Sequence, residues 1–394
     1  MNINKILLPL ATIVLAMACS NDDEMTESST IVGNSDVEIK LSVGGGTRTR
    51  ASVESDANGM FNLNNLGIFM LGTAVQTTNP EEQTIDWRPA VNPYAVWMNN
   101  VEANAVMDGG GTRTDILWED GVTRWYPVGN WYSYRFYGYY PRVADNRVSM
   151  TANKCVVSYT GLDGTKDIIW GRSLGADLED VKEKYRYSAR YFRQAGYADY
   201  NPELALSHKM LRLQFCIQGI ADENAEAGHE FDAANTMSID TIMILQVPTR
   251  AQLTVADLNN QDTGDGVISY NWTSYLGDLG VLGDNDGVFV KEQVVDDNII
   301  EVGQPILLPV LDEEATDAGY TKYRVQVRLR NTSGVLFDHE KPLDLNISGL
   351  GNAFEAGKSY RVILRIAGPK QVTLQARLNP WEDDNDSVVP LIFD

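Results

Sequence analysis

Residues 36–43, Asp-Val-Glu-Ile-Lys-Leu-Ser-Val, constrain the fold of this chain more than any other stretch. Four apolar side chains alternate with polar ones, which is the pattern of a half-buried β-strand. Three glycines at 44–46 follow, and then Arg48 and Arg50. Because glycine offers no side chain to pack, this segment is predicted to be exposed, with either arginine accessible to a trypsin-like protease. The sequence thus predicts a removable strand whose inward-facing residues are Val37, Ile39, Leu41 and Val43.

The N-terminus has the pattern of an export signal. Lys5 gives a positive start, and residues 6–18 form an apolar run that is too short to span a bilayer as a helix. Small residues precede Cys19 and a polar run follows it, which predicts a lipoprotein signal at 1–18 and a lipid on the Cys19 thiol. The alternative is an ordinary secretory signal with an incidental cysteine. Residues 19–50 are then a lipid tether followed by the removable strand.

The charge of the chain narrows the choice of partners. Its 394 residues include 54 Asp and Glu against 32 Lys and Arg, which gives a net charge of −22. Such an acidic chain disfavours nucleic acids and anionic membrane surfaces as partners and favours solubility outside the cell. Cys155 and Cys216 are left as either one disulfide or two buried thiols. The three histidines are scattered and no cluster has metal-ligand spacing, so no metal and no cofactor are predicted.

The rest of the chain is predicted to be all-β. Short alternating strands are separated by turn residues, which indicates two β-sandwich domains, at 51–205 and 206–394. Asp-Gly at 120–121 predicts the turn of a hairpin over 115–125, and residues 177–192 are the main candidate for a helix. The other strands are predicted at 66–71, 132–141, 156–159, 167–170, 211–217, 323–329, 360–366 and 372–378.

Three patterns suggest chemistry, and each has a simpler interpretation. Residues 171–175 match G-x-S-x-G around Ser173, but a nucleophile elbow requires an alternation of strands and helices that this chain lacks. Residues 257–266 and 284–287 resemble calcium loops without oxygen ligands at the required positions, so turns are predicted. The aromatic residues between 118 and 140 suit a carbohydrate platform, although packing within a sheet is the favoured interpretation. No catalytic residue and no enzyme activity are predicted.

Short motifs spread over the whole chain resemble one protein family in their order. The motifs are small residues before a cysteine at 15–19, Thr-Arg within 46–51, Trp-Tyr-Pro at 125–127, an aromatic strand ending in proline at 136–141, Asp-hydrophobic-Trp-Gly at 167–171, His-Lys-x-Leu at 208–211, Gly-Lys-x-Tyr at 357–360 and Pro-Trp at 380–381. Each motif is weak alone. Together they resemble the fimbrillin family, the Mfa-like and FimA-like type V pilins of Bacteroidota.

The resemblance implies a fold and an assembly mechanism. The implied fold is two transthyretin-like β-sandwich domains in tandem. The implied precursor reaches the outer membrane as a lipoprotein with its lipid on Cys19, and an arginine-specific protease cuts it after Arg48 or Arg50. A strand from a neighbouring pilin subunit then fills the vacated groove, and repetition builds an extracellular fimbria that supports adhesion.

The C-terminus is the source of the donor strand in polymerising relatives. Here the apolar end is short, and Pro390 interrupts its hydrogen bonding. A chain that accepts a strand without giving one suits a tip position, so shaft and tip both stay open. The alternative function is a monomeric surface lipoprotein adhesin that binds a ligand, a host surface or a glycan and is never cleaved. The candidate donor residues are Val388, Val389, Leu391, Ile392 and Phe393.

Overall fold

β-strands make up almost the whole computed structural model of the chain. Within the described residues, helix is confined to a 3-10 turn at Asp145–Arg147 and two short α-helices, α1 (Ala189–Phe192) and α2 (Glu313–Asp317). The prediction of an all-β protein is therefore confirmed. Of the helix predicted at 177–192, only 187–192 are described, and α1 covers the last four of them. The structure describes residues 34–43, 63–75, 84–107, 114–128, 132–173, 187–193, 202–220, 237–283, 293–294, 298–338, 341–345, 354–368 and 371–379.

The first half of the chain contains a closed barrel. The strands of this half are β1 (Asn34–Glu38), β2 (Leu41–Val43), β3 (Leu63–Val75), β4 (Val96–Met107), β5 (Thr114–Trp118), β6 (Trp125–Pro127), β7 (Tyr132–Tyr140), β8 (Val148–Met150), β9 (Lys154–Thr160), β10 (Ile169–Ser173) and β11 (Glu203–His208). The barrel order is β10-β11-β2-β5-β4-β3-β7, and β7 pairs with β10 to close it. Because a closed sheet has no free edge, each of its strands has a neighbour on both sides.

Aromatic side chains pack on both faces of the barrel strand β7 rather than forming a surface platform. β3 and β7 lie side by side, and Gly67 in β3 faces Tyr139 in β7. A Cβ atom on Gly67 would lie 2.2 Å from the Tyr139 ring, so the glycine makes room for the tyrosine. Phe69 stacks on the same ring at a centroid distance of 5.8 Å. The packing interpretation is confirmed for the buried members of the aromatic stretch, Tyr126, Tyr132, Tyr134, Phe136, Tyr137 and Tyr139.

The second half of the chain forms two further sheets. Its strands are β12 (Leu211–Gly219), β13 (Ser238–Pro248), β14 (Arg250–Asp257), β15 (Ile268–Tyr270), β16 (Leu276–Gly280), β17 (Gln293–Val294), β18 (Ile300–Leu308), β19 (Tyr323–Arg330), β20 (Leu336–Asp338), β21 (Leu343–Leu345), β22 (Ser359–Gly368) and β23 (Gln371–Asn379). One sheet has the order β18-β12-β22-β23, and the other has β16-β13-β19-β20. β19 alternates as predicted. In β12 the predicted alternation is wrong at Gln214 and Cys216, which are buried because both faces of this central strand are covered.

A sheet shared by both halves joins them. β14 from the second half pairs with β9 from the first, in the order β15-β14-β9-β8. Side chains cross the same junction: Trp170 Nε1 donates to the Val255 carbonyl at 3.0 Å, and Arg172 Nη1 donates to Asp265 Oδ2 at 2.9 Å. The domain boundary predicted after residue 205 falls inside β11, which is a barrel strand.

The hairpin predicted over 115–125 does not form. Its turn is present, with Gly121 at a φ of +64° and its N–H donating to the Trp118 carbonyl at 3.1 Å. However, β5 pairs with β4 and β2, whereas β6 pairs with β1. The prediction is wrong because β2 occupies the edge of β5 that the hairpin partner would need.

Cys155 and Cys216 are free thiols, so the disulfide alternative is wrong. Cys155 lies in β9 and Cys216 in β12, and both are buried. Burial raises the pKa of the Cys216 thiol to about 11 and that of the Cys155 thiol further still. Both thiols are therefore protonated and unreactive at neutral pH.

Candidate functional site

The N-terminal segment forms two short strands with different neighbours. β1 pairs with β6, whereas β2 lies inside the barrel sheet between β5 and β11. Between the two strands, the Ile39 N–H donates to the Arg124 carbonyl at 2.8 Å. The prediction of one continuous strand over 36–43 is therefore wrong, because the chain changes partners at residues 39–40, which belong to neither strand.

β2 is hydrogen-bonded on both of its edges. Against β5 it runs antiparallel, with Leu41 opposite Ile116. Against β11 it runs parallel, and the Ser42 N–H also donates to the Pro202 carbonyl at 3.0 Å. β2 fills the space between β5 and β11, and we call this space the slot. Because β5 and β11 both pair with β2 and not with each other, removal of β2 would open the barrel sheet at the slot.

Burial along the segment is uneven. Ile39 and Leu41 are each 2% exposed, while Val37 and Val43 are half-buried. Ser42 is also 2% exposed, although the alternation predicts that it points to solvent. That prediction is wrong because both faces of β2 are covered at this point, which a period of two along the sequence does not indicate. The core of the segment is therefore Ile39 and the short strand that follows it.

The energetics follow from this burial. Two fully buried aliphatic side chains contribute about 3–6 kcal/mol, and each ladder hydrogen bond adds about 1 kcal/mol. Without the segment, β5 and β11 would present two unpaired edges beside the buried side chains of Ile116 and Leu204. Edges of this kind readily accept another strand.

The exposed ion pairs of the N-terminal segment contribute little to the stability of its binding in the fold. Arg193 Nη2 lies 2.6 Å from Asp36 Oδ1, and Lys40 Nζ lies 3.5 Å from Glu38 Oε2. The hydrogen bond from Arg193 holds the pKa of the Asp36 carboxyl below its ordinary value. Both pairs are exposed to solvent, and exposed ion pairs contribute little to stability. The segment is thus held chiefly by Ile39 and β2.

The other predicted assembly residues lie outside the described part of the chain. Cys19, Arg48, Arg50 and the donor residues 388–393 all fall there. Val43 is the last described residue before the arginines, and Arg48 follows it by five positions in the sequence. β2 therefore ends a short distance in sequence before the predicted cleavage point.

Ser173 is placed as a structural residue of β10. Its side chain is buried, and its Oγ accepts a hydrogen bond from the Phe136 N–H at 3.1 Å. His208 lies at the other end of the β10–β11 ladder, opposite Ile169, where its Nδ1 contacts the buried Asp167 carboxylate. Burial raises the pKa of Asp167, and the hydrogen bond from His208 opposes that rise. The G-x-S-x-G match thus brings Ser173 to a backbone amide and not to this histidine.

The loop at 257–266 is a series of turns, as predicted. Lys154 Nζ lies 3.0 Å from Asp257 Oδ2, and the Asp257 N–H donates to Asp265 Oδ1 at 2.7 Å. These carboxylates are therefore engaged by a lysine, an arginine and a backbone amide. Among the described residues, no group of three or more His, Cys, Asp or Glu side chains is placed to hold a metal ion. Residues 284–287 lie outside the described ranges.

The geometry defines a class of β-protein in which the chain's own N-terminal strand fills a slot in its barrel. None of the helices in the described ranges is long and apolar enough to cross a membrane. No family model matches the chain, and no curated protein matches it.

Solved structures do resemble the chain over most of its length. A protein from Bacteroides uniformis assigned to cell adhesion is 15% identical, with a TM-score of 0.47 over 88% of this chain and 97% of its own. The fimbrial anchor protein Mfa2 of Porphyromonas gingivalis is 10% identical, with a TM-score of 0.34 over 87% and 98%. The tip fimbrial protein Mfa3 of the same organism, truncated at its C-terminus, is 8% identical, with a TM-score of 0.35 over 87% and 100%. Identities and TM-scores this low transfer no function by themselves.

Proposed function

We propose that this chain is a structural subunit of a cell-surface fimbria, at a shaft or a tip position, that assembles by strand exchange and supports adhesion. The observation that carries the proposal is the slot. β2 completes the barrel between β5 and β11, yet it belongs to a terminal segment that precedes two arginines. A strand that completes the barrel and lies shortly before the predicted cleavage point is well placed to be exchanged for another.

The proposed route begins with export and lipidation. The lipid is carried on Cys19 and anchors the precursor in the outer membrane. An arginine-specific protease then cuts after Arg48 or Arg50. The sequence around each of these residues supports the assignment: small residues precede Cys19, and glycines precede the arginines.

Cleavage separates β2 covalently from the rest of the chain but leaves its hydrogen bonds and packing in place. Before the cut, β2 is held in the slot as part of the same chain, at a high effective concentration. After the cut, it is a separate peptide held by about 3–6 kcal/mol of side-chain burial and a few hydrogen bonds. A strand from a second subunit that buries more apolar surface then replaces it in the slot.

The donor and the domain arrangement complete the proposal. Residues 388–393 are the proposed donor strand, with Pro390 limiting their hydrogen bonding. If they do not serve as a donor, the subunit accepts a strand only and belongs at a tip. We also propose two transthyretin-like domains in tandem, with the boundary moved from residue 205 to the end of β11, so that they span 51–208 and 209–394.

Limited proteolysis followed by peptide capture tests this function. A chain that begins after Cys19 is treated with a trypsin-like protease, and we expect one early cut at Arg48 or Arg50. The cut protein should then form SDS-resistant multimers or capture an added peptide of residues 36–43. The matched control replaces Arg48 and Arg50 with Gln, which should leave the chain uncut and monomeric. A cut protein that stays monomeric and ignores the peptide would instead support a monomeric adhesin.

The chain is proposed to have no enzymatic role. The hydrogen bond that Ser173 Oγ accepts from the Phe136 amide supports this, because it uses the hydroxyl to hold β10 against β7. Ser173→Ala should leave any esterase signal of the purified protein unchanged. Loss of an esterase signal in this variant would instead support a hydrolase activity that depends on Ser173.

A further inference from the structure

A cleft of about 590 Å³ lies on the sheet that joins the two halves of the chain. Its floor is formed by the ends of β9, β14 and β15. Ser158 lies opposite Gln252 in the β9–β14 ladder, and Gln252 lies opposite Ser269 in the β14–β15 ladder. Opposite residues in neighbouring strands share a face of the sheet, so these three polar side chains form one row. The row offers hydroxyl and amide groups that both donate and accept hydrogen bonds.

An exposed tyrosine stands at the side of this row. Tyr275 is 53% exposed and has a φ of +58°, which is an uncommon conformation for a bulky residue. Its carbonyl accepts hydrogen bonds from the Thr249 N–H at 2.9 Å and from Thr249 Oγ1 at 2.6 Å. The backbone conformation is thus held by specific bonds. Residues kept in such conformations cluster where proteins clamp ligands.

The Asn271 side chain orders the start of the loop that carries Tyr275. Asn271 Oδ1 accepts hydrogen bonds from the N–H groups of Thr273 and Ser274, at 3.2 and 2.9 Å, and from both of their hydroxyls. Trp272 packs beneath the loop against Tyr320, with ring centroids 5.1 Å apart. The aromatic wall of the cleft is therefore already built in the free protein.

Arg250 is the arginine among the residues that line this cleft. The Arg250 guanidinium lies 3.4 Å from the centroid of the Tyr275 ring, and it makes no ion pair with a carboxylate of the described residues. Its cross-strand partner Thr160 receives a hydrogen bond from Arg147, a second guanidinium without an ion pair among the described residues. Glu314 is the carboxylate among the residues that line the cleft. On a chain with a net charge of −22, an arginine that lines a cleft and makes no ion pair with a described carboxylate is suited to contact an anionic group of a ligand.

We propose that this cleft binds an acidic sugar residue of a glycan, a pyranose ring that carries a carboxylate. The Arg250 guanidinium suits a carboxylate because its planar fork makes two parallel charge-assisted hydrogen bonds. The Arg250 guanidinium covers one face of the Tyr275 ring, and the exposed remainder of the ring offers apolar surface to the C–H groups of a sugar. The row of Ser158, Gln252 and Ser269 suits the ring hydroxyls, and the volume falls in the range of small-molecule sites.

This inference is independent of strand exchange. The cleft is formed by β9, β14, β15, the loop after β15 and residues of α2 and its C-cap, and none of these elements contacts β2 in a ladder. The intact, uncleaved chain therefore carries the complete site. A chain that fails to exchange strands would still bind the sugar, and a chain that exchanges strands without binding it would contradict only the cleft.

Direct binding to defined oligosaccharides tests the cleft. The uncleaved protein is titrated with 3′-sialyllactose, with a hyaluronan tetrasaccharide, with neutral lactose and with a short acidic peptide, and saturation-transfer NMR and calorimetry record binding. We expect one of the two acidic sugars to bind and lactose to bind at least about tenfold more weakly, because it lacks the charge-assisted contact. The two acidic arms separate a sialylated source from a uronic acid source.

Three variants locate the binding. Arg250→Gln should weaken binding by about tenfold or more, and Gln252→Ala should weaken it severalfold while leaving the loop intact. Arg324→Gln is the matched control, because it removes the same charge from a half-buried arginine bonded to Gln246 in another sheet. Failure of both acidic sugars to bind, equal affinity for lactose, preference for the peptide, or equal losses in Arg250→Gln and Arg324→Gln would each overturn the proposal.

Discussion

Leu41 lies directly opposite Ile116 in the ladder between β2 and β5, and both side chains are buried in the barrel. This pair links the N-terminal segment to β5, which comes later in the sequence. Of the three residues of β2, Leu41 is the aliphatic one that is fully buried. The hold on the segment can therefore be tested at a single side chain.

Leu41→Ala should reduce the free energy of unfolding by about 2–5 kcal/mol, since a buried leucine loses its packing and leaves a cavity. Lys40→Ala is the control, because Lys40 is exposed and neighbours Leu41 in the same segment. It should change stability by less than about 0.5 kcal/mol. Chemical denaturation of both variants measures the difference. Equal effects of the two substitutions would show that β2 does not hold the barrel together.

A disulfide across β2 and β5 should separate cleavage from release. Ser42 lies opposite Asp115, and opposite residues of an antiparallel pair are close enough for a disulfide. Ser42→Cys with Asp115→Cys should let the protease cut normally while the oxidised protein keeps its segment and stays monomeric. A reducing agent should then restore multimer formation, which gel electrophoresis and mass spectrometry detect.

Each single cysteine variant controls for the loss of the native side chain. Either one should be cut and form multimers with or without the reducing agent. Cys155 and Cys216 are buried, so they do not compete for the new thiols. Multimers that form from the oxidised double variant would show that assembly does not use the slot.

Gly266 makes the junction between the two halves possible. A Cβ atom there would lie 2.3 Å from the Trp170 ring, and the φ of +72° is itself unfavourable for other residues. Gly266→Ala should therefore cost clearly more stability than Gly121→Ala, whose φ is +64° and whose Cβ would meet nothing within 4 Å. Because both glycines have a positive φ, the backbone cost of alanine is similar at the two positions. The difference in stability between the two variants therefore reports the steric clash with Trp170. Thermal or denaturant unfolding measures it, and equal losses would mean that the junction tolerates the extra methyl group.

Lys209 should make stability depend on pH. Its Nζ lies 4.6 Å from the centroid of the Trp170 ring, and burial lowers the pKa of its ammonium group from 10.5 to about 8. Between these two values the unfolded chain binds more protons than the folded chain, so the free energy of unfolding should rise as pH increases from about 8 towards 10. Lys209→Met should flatten this rise and stabilise the protein near pH 7. Denaturation of both proteins across pH 7–10 measures the difference, and parallel curves would rule out Lys209 as the cause.

The sequence predicts those elements whose signal is local. The alternation in β19 and the apolar run at 66–71 inside β3 identify strands because one face of β19 and both faces of that run are buried. The same reasoning places Ile39 and Leu41 in the core. Gly67 and Tyr139 illustrate the limit, because a small residue and a large one fit together only once two distant strands are known to pair.

The slot itself depends on pairings that have no local signal. β2 and β11 pair in parallel although Val43 and Leu204 are far apart in the sequence, and no turn connects the two strands. The break at residues 39–40 likewise exists because β1 pairs with β6 while β2 pairs with β5. The Asp167–His208 pair joins the ends of β10 and β11, which spacing alone does not bring together. Tertiary pairing, and not intrinsic preference, therefore decides the candidate site.

The mixed pairing of β2 gives the slot a direction. An occupant that preserves both ladders must run parallel to β11 and antiparallel to β5, so it can enter in one orientation. Contacts that join a strand of one molecule to a slot of the next are head-to-tail and do not close on themselves as a two-fold dimer does. The two ends of a filament built from such molecules would consequently differ. The direction of this filament would be set by the strand pairings within a single subunit.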